Sequence, residues 1–286
     1  LAQELAAQAV ICGAISLHKL AELEDGVLGI EKELHPLITK RFPNEGGSDF
    51  WQPQQLAAIA ALFPNSLVDS DLGDVPEGWE TTNVGACLKV TKGRSYKSSE
   101  LEKSNTALVT LKSFMRGGGY REDGLKEYTG TYKPEQVIEP GELVMSLTDV
   151  TQAAEIVGKP AIVTKNDNYE RLVASLDVAI LRANESNMKE FFYGLMSTYS
   201  FHRYAESYAT GTTVLHLNVK GITNYEFAMP DMQLCQLYGN VAGPMLSKHE
   251  SNILVSRSLG ELRDALLPKL LSGELTTTTT EKANHV

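Results

Sequence analysis

A long C-terminal stretch, in which apolar residues recur every three or four positions, constrains this chain more than any other feature. The stretch follows Met229-Pro230, and Asp231 is well suited to cap a helix there. The spacing forms a heptad-like seam with polar interruptions, which is typical of a helix that packs along another helix. The seam consists of Leu234, Leu237, Val241, Pro244, Lys248, Asn252, Val255, Leu259, Leu262, Leu266 and Lys269.

The length of this helix predicts a partner. Residues 244–272 would form a helix about 43 Å long at 1.5 Å per residue, and a lone helix cannot bury an apolar stripe of that length. Gly243-Pro244 is expected to kink or restart the helix, and Gly273 is expected to end it. We therefore assign residues 231–275 to a spacer helix and 276–286 to a disordered tail.

The rest of the chain divides into a helical N-terminal segment and one mixed domain. Residues 1–70 are predicted to contain helices, among them one from Pro53 to Phe63, and the beginning of a connector. This connector is acidic and extended and covers residues 65–80. From about Thr81 to Pro230 the pattern changes to short strands with turns between them, and residues 71–230 are assigned to one domain. The predicted fold class is therefore α+β, with one mixed α/β domain and long coiled-coil-like spacer helices.

Local signals place the elements of the mixed domain. Asn187, with Glu190 three residues later, predicts a capping box and a helix that runs to about Tyr208. Gly211 then ends a turn. The predicted strands lie in the β-rich runs Ala107–Leu111, Leu143–Leu147, Ala161–Thr164, Leu172–Leu181 and Thr212–Leu217.

The charge of the chain is unevenly distributed. The formal net charge is −10, yet residues 81–133 contain 10 basic and 5 acidic residues, which gives this segment a net charge of +5. A basic stretch in an acidic chain indicates a candidate anion-binding face. The alternative that remains open is an ordinary solvated surface.

Composition and motifs argue against several classes of protein. The three cysteines are far apart, no apolar run reaches 18 residues, and no signal peptide is visible, so we expect a cytoplasmic protein without a disulfide framework. The first residue is Leu1, which suggests a fragment or a trimmed chain. No phosphate loop, G-x-G-x-x-G, G-x-S-x-G or zinc-type histidine motif occurs. We therefore expect no catalytic residue and no metal site.

A basic, glycine-rich segment is the best candidate for a ligand-binding loop. Residues 113–121 (SFMRGGGYR) interleave cations with aromatic residues around three glycines, and three adjacent glycines require a loop. Arginine can read guanine bidentately in a major groove, whereas lysine, serine and tyrosine hold phosphates. A surface loop without a ligand is the competing interpretation.

Three motifs resemble the specificity subunits of type I restriction–modification enzymes. Residues 69–80 (DSDLGDVPEGWE) resemble the lead-in to a target recognition domain of that family. Residues 208–217 (YATGTTVLHL), followed by FAMP at 227–230, resemble its exit. Residues 262–275 (LRDALLPKLLSGEL) resemble the end of its conserved helical spacer. The resemblance covers about residues 62–275, with the motifs in the order and at the separations of the family.

The resemblance implies a non-catalytic DNA reader. In such a complex each recognition domain binds half of a bipartite DNA target, long antiparallel helices set the spacing, methylation subunits dock with their S-adenosylmethionine, and a motor-nuclease subunit joins for cleavage. This chain has one recognition domain, so we expect the C-terminal half of a specificity subunit or a half-size form that acts as a homodimer through its spacer helices. A helical scaffold or oligomerisation protein and a stand-alone enzyme of unrecognised type are the alternatives.

This interpretation predicts two sets of site residues. The segment 113–121 points to Arg116 and Arg121 as base contacts. The full DNA-binding set is Lys92, Arg94, Lys97, Lys112, Arg116, Gly118, Tyr120, Arg121, Thr212 and Thr213. The helix or subunit interface is predicted to consist of Leu234, Leu237, Val241, Val255, Leu259, Leu262 and Leu266.

Overall fold

The computed structural model describes residues 62, 64, 66–185 and 187–275, and these form two units. The first unit ends at Ala242, and the second begins at Gly243. The predictions for residues 1–61 and for the tail at 276–286 lie outside the described residues, as does nearly all of the predicted helix from Pro53 to Phe63. Within the described part, no helix is both long and apolar enough to cross a bilayer.

Fifteen strands and five helices are assigned within the described residues. The strands are β1 (Leu67–Val68), β2 (Val75–Pro76), β3 (Glu80–Asn83), β4 (Leu88–Lys92), β5 (Thr106–Val109), β6 (Lys126–Glu127), β7 (Val137–Ile138), β8 (Leu143–Ser146), β9 (Thr148–Asp149), β10 (Pro160–Ile162), β11 (Arg171–Ala174), β12 (Val178–Ala183), β13 (Ala209–Thr210), β14 (Leu215–Leu217) and β15 (Glu226–Met229). The helices are α1 (Val84–Cys87), α2 (Lys189–Met196), α3 (Tyr199–Ser207), α4 (Lys220–Thr223) and α5 (Met232–Leu271). The predicted α+β fold class is confirmed.

Two four-stranded sheets form the centre of the first unit. One has the antiparallel order β10-β8-β12-β4, and the other has the order β6-β5-β11-β7, in which β5 and β11 are parallel. Side chains alternate along β8, so Leu143 and Met145 enter one core cluster while Val144 enters another. The antiparallel sheet is therefore apolar on both faces, which explains why its strands read as continuous apolar runs.

Helices α2 and α3 contribute to the larger core cluster of this unit. Phe191 and Phe192 meet edge to face with ring centroids 5.3 Å apart, and Phe192 meets Phe227 of β15 at 6.1 Å. Residues from the first turns of α5, including Cys235 and Tyr238, are buried in the same cluster. The first turns of α5 therefore belong to the packing of the first unit.

The predicted helix from Asn187 to Tyr208 is wrong in two respects. Its chain forms two helices, because the Thr198 side chain accepts a hydrogen bond from the Phe201 amide at 3.1 Å and caps α3. A threonine hydroxyl competes with the helical backbone in this way, which favours a new start over continuation. The residue before α2 is Met188, which makes no side-chain cap, so the predicted capping box at Asn187 does not form.

Other boundaries also differ from the sequence prediction. The predicted connector over residues 65–80 contains the hairpin β1–β2, in which Val75 is buried. The run Leu172–Leu181 divides into β11 and β12. The strand predicted to begin at Thr212 is limited to Leu215–Leu217.

The ends of α5 follow the sequence prediction. A carboxylate oxygen of Asp231 accepts a hydrogen bond from the Gln233 amide at 2.7 Å and caps the helix. At the other end, Gly273 has a φ of 75°, and its amide donates to the Leu270 carbonyl at 3.2 Å. Of the two outcomes expected at Gly243-Pro244, a kink or a restart, the restart does not occur, because the helix continues through Pro244.

Candidate nucleic-acid interface

The glycine-rich segment forms a tight loop closed by a bridge between Phe114 and Tyr120. Gly117, Gly118 and Gly119 have φ values of 84°, 111° and 97°. This left-handed region strains any residue with a Cβ, so the triple glycine is a requirement of the turn. The predicted loop is thus confirmed.

Both arginines that were predicted to read bases pair with carboxylates. The Nε atom of Arg116 lies 3.4 Å from a carboxylate oxygen of Glu155. Arg121 donates from Nε to Asp123 at 2.6 Å and makes a second, shorter contact from its Nη2 atom. The Arg121 hydrogen bond lowers the pKa of Asp123, which keeps the acid charged beside the cation. A phosphate would meet these carboxylates together with the guanidinium groups.

Tyr120, which was predicted to contact DNA, is a core residue. Its exposed fraction is 4%, and it packs in the cluster that lies between the two sheets. Burial, followed by the charge of Glu122, raises the pKa of its hydroxyl. Tyr120 lies between exposed cations in the sequence, so it was predicted to be on the surface as they are. In the structure Tyr120 forms a β-bridge with Phe114, and both rings are buried in the same cluster. This corrects its assignment as a DNA contact.

A loop after β9 is organised by the buried carboxylate of Asp149. One oxygen accepts hydrogen bonds from the amide and hydroxyl of Thr151, at 2.8 and 2.9 Å. The other accepts from the amides of Ile156 and Val157, at 2.7 and 3.3 Å. Burial favours the neutral acid, but these hydrogen bonds outweigh it and hold the pKa of Asp149 below its ordinary value.

The Asp149 loop joins two segments that are distant in sequence. The Gly117 amide donates to the Glu155 carbonyl at 2.9 Å. On the other side, the Gln152 side chain donates to the Thr212 carbonyl at 2.9 Å. The structure therefore links Arg116 and Gly118 with the exposed Thr212 and Thr213 through one loop, a connection that the sequence did not predict.

The three predicted lysines lie elsewhere on the first unit. Lys92 ends β4, Lys97 precedes a short 3-10 helix at Ser98–Glu100, and Lys112 lies in another at Leu111–Ser113. All three are exposed. None of them makes an ion pair with a carboxylate in the part of the chain that the structure describes.

A set of paired tyrosines and cations was missed by the sequence analysis, apart from one member, Arg94. We call it the tyrosine–cation face, and in each pair the cation donates a hydrogen bond to a tyrosine hydroxyl. Lys126 also lies 5.4 Å from the centroid of the ring of its partner tyrosine, as a cation–π contact. The pairs are Arg94 with Tyr128 at 3.3 Å, Lys126 with Tyr96 at 3.2 Å, and Arg171 with Tyr132 at 3.2 Å.

Comparison with known proteins gives a consistent family resemblance. The chain is 23% identical over 231 residues to the type I restriction enzyme HindI specificity subunit of Haemophilus influenzae. The matched region covers 77% of this chain and 48% of that protein. The chain is also 24% identical over 215 residues to the MjaIX specificity subunit of Methanocaldococcus jannaschii, covering 71% of this chain and 45% of that one. Over more than two thirds of its length, the chain is therefore similar in sequence to type I specificity subunits. The resemblance drawn from the three motifs is therefore confirmed.

The extent of this resemblance is limited to part of each relative. The chain spans about half the length of the curated proteins that it matches. No protein-family profile matches the chain. Among solved structures, the type I S subunit from M. genitalium covers 68% of this chain and 46% of its own, with a TM-score of 0.48 and 13% sequence identity.

Two of the three motifs that carry the resemblance correspond to defined elements of the first unit. The lead-in at 69–80 forms the turn and the second strand of the hairpin β1–β2 and ends at the first residue of β3, and the exit at 208–217 contains the hairpin β13–β14. In the latter, Gly211 has a φ of 130°, and a Cβ there would lie 2.0 Å from the Val214 carbonyl oxygen. Glycine is therefore required by close backbone approach as well as by conformation.

The predicted interface residues fall into two groups. In the first unit, Leu234 is buried with an exposed fraction of 7%, and Leu237 is half-buried. The side chain of Val241 lies outside the described part. In the second unit the seam is open, with exposed fractions between 38% and 60% for Val255, Leu259, Leu262 and Leu266.

Proposed function

We propose that this chain is the DNA-reading part of a type I specificity subunit and recognises one half of a bipartite duplex target. The observation that carries the proposal is its similarity over 231 residues to a type I specificity subunit. The protein would take no catalytic role itself. Methyl transfer would occur in partner methylation subunits, which would supply S-adenosylmethionine, and cleavage would need a motor-nuclease subunit.

Local electrostatics of the first unit support a polyanionic ligand. Lys92, Lys97 and Lys112 are exposed, and none is neutralised by a carboxylate among the described residues. Free lysines of this kind contribute to DNA affinity by releasing counterions from phosphates. The overall charge of −10 does not oppose this role, because salt screens exposed charges beyond roughly 10 Å.

The open seam of the second unit supports a helical partner. The seam is one stripe along α5, and it widens near the C-terminal end, where Leu267, Leu270 and Leu271 are also exposed. A wider apolar arc suits contact with more than one helix. We propose that this surface docks methylation subunits, or the matching helix of a second specificity unit.

The second candidate function, a helical scaffold, rests on the same open seam. A scaffold would use the seam for assembly and would have no affinity for DNA. The cations of the first unit favour the DNA reader, because an assembly role gives them no purpose.

A binding experiment separates the two candidates. The full chain, purified alone and with a type I methylation subunit, is titrated with a fluorescent mixed-sequence duplex at several salt concentrations. The DNA reader predicts affinity that falls linearly with salt on logarithmic axes and co-elution of the two proteins. Co-elution without DNA affinity at any salt concentration would favour the scaffold.

A further inference from the structure

We propose that the tyrosine–cation face, and not the glycine-rich loop, is the surface that contacts the phosphates of duplex DNA. The inference rests on the proposed DNA-reading function and names the site that would perform it. The face consists of Arg94, Tyr96, Lys126, Tyr128, Tyr132 and Arg171.

The register of one sheet places all three cations on the same side. Lys126 of β6 is opposite Leu108 of β5, and Arg171 of β11 is opposite Thr106 of β5. Arg94 forms an isolated parallel β-bridge with Ser175, which follows Val173 by two residues. Because side chains two residues apart share a face of a sheet, these cations lie on the side that carries Leu108 and Val173.

The opposite side of the same sheet is closed. Ala107, Val109, Leu172 and Ala174 alternate with the residues above and are buried in the cluster between the two sheets. The cation-bearing side has only a small cluster of Leu108, Tyr128 and Val173, with Tyr96 and Tyr132 partly buried against it. The cations on this side therefore lie over a thin apolar layer and, in the described part of the chain, are not covered by a second sheet.

The partners of the cations distinguish this face from the glycine loop. Lys126, Arg94 and Arg171 donate to neutral hydroxyl groups, and none makes an ion pair with a carboxylate among the described residues. A phenol holds the cation in place but leaves its positive charge uncancelled. By contrast, Arg116 and Arg121 each contact a carboxylate, which repels an approaching phosphate.

Hydrogen bonding leaves donors available for a ligand. Arg94 uses its Nε atom on the Tyr128 hydroxyl, and that hydroxyl in turn donates to the Thr131 carbonyl at 3.0 Å. Arg171 uses Nη1 on Tyr132, and this hydrogen bond lowers the pKa of the tyrosine. The neighbouring acid Glu170 accepts a hydrogen bond from the Asn105 side chain at 3.1 Å, which gives that carboxylate a partner other than Arg171.

The spacing of the cations suits a nucleic-acid backbone. Lys126 and Arg171 are two strand spacings apart across the sheet and two residues apart along it, which corresponds to about 12 Å between Cα atoms. Phosphates on one DNA strand advance by roughly 3.4 Å along the axis per nucleotide. Two cations at this separation span a few phosphates, which favours contact at two or more positions.

The test uses the full chain and a fluorescent mixed-sequence duplex, with affinity measured against salt concentration. Lys126→Gln with Arg171→Gln should reduce the magnitude of the salt slope by about two units, since each phosphate contact contributes about 0.9. The matched control, Lys165→Gln with Arg203→Gln, removes the same charge from cations that pair with Asp167 and Glu206. It should leave the slope unchanged.

The outcomes separate the inference from the function on which it rests. A slope lowered only by Arg116→Gln with Arg121→Gln would place the phosphates at the glycine loop and overturn the inference. Equal losses in the test variant and the control would reflect net charge alone and would also overturn it. A wild-type chain without salt-dependent binding would contradict the proposed function itself. Thermal melting of every variant checks that the fold is retained.

Discussion

At the scale of single residues, several positions are fixed by backbone requirements that the sequence signals only in part. The triple glycine at 117–119 predicts a loop and Gly273 predicts a helix end, because both signals are local in sequence. The burial of Tyr120 depends on packing against strands that are far away in sequence. Such packing has no local signature, so sequence reasoning placed Tyr120 on the surface. The hydrogen bonds of Asp149 reach only two to eight residues along the chain, yet they follow no motif that the sequence analysis used.

Replacement of Asp149 by asparagine should destabilise the first unit by about 1–3 kcal/mol, because buried donors lose a charged acceptor. The folded pKa lies below the unfolded value of about 3.9. The carboxylate therefore stabilises the fold above that pH, and its contribution is lost as the pH falls through the folded pKa. Urea unfolding of wild type and variant should show a gap at pH 7 that narrows below about pH 4. A gap independent of pH would contradict this account.

Gly211→Ala should destabilise the protein by more than about 1 kcal/mol, because alanine at positive φ is strained and its Cβ would also overlap the Val214 carbonyl. Gly73→Ala is the matched control. Its φ is 89°, and nothing lies within 4 Å of the added Cβ, so it tests the conformational cost alone. Thermal unfolding should rank Gly211→Ala as clearly the more damaging change, and equal losses would show that the overlap is relieved.

At the scale of elements, α5 was the most predictable part and the division between α2 and α3 the least. A heptad-like spacing, an aspartate cap and a glycine end are all local, so the helix and both of its boundaries followed from the sequence. The division at Thr198 reflects competition between a side-chain cap and a continuous helix, which the aromatic pattern masked. The parallel pairing of β5 with β11 joins residues about 65 apart and could not be predicted from local pattern.

The exposed seam on the second unit predicts an assembly defect without a folding defect. Leu262→Asp with Leu266→Asp should leave the thermal stability of the isolated chain almost unchanged, since both side chains are exposed. In a desolvated interface, each charge should cost several kcal/mol. Light scattering and copurification with a methylation subunit should therefore report loss of assembly.

Arg257→Asp provides the control for this experiment. This substitution changes the net charge by the same two units. Because successive residues of an α-helix are rotated by about 100°, residue 257 lies on the side of α5 opposite the seam. Its ion pair with Glu261 is exposed, so its loss should have little effect. Unchanged assembly in the leucine double variant would show that the seam is not a docking surface.

At the scale of the whole chain, the two units suggest two separable tasks. The first unit carries the cations and the motifs at 69–80 and 208–217, and the second carries an open apolar seam. The family resemblance was recoverable from short motifs because each of them corresponds to a turn or a helix end with strict backbone needs. The tyrosine–cation face was not recoverable, because its members come together only through the sheet.

The most direct test of the central proposal is to map methylated adenines in a host that produces this chain together with a type I methylation subunit. The account predicts methylation at one bipartite motif, absent without the chain and weakened when Lys126 and Arg171 are both replaced by glutamine. Methylation at the same motif without the chain, or none with a properly assembled complex, would contradict the claim that this chain reads DNA sequence.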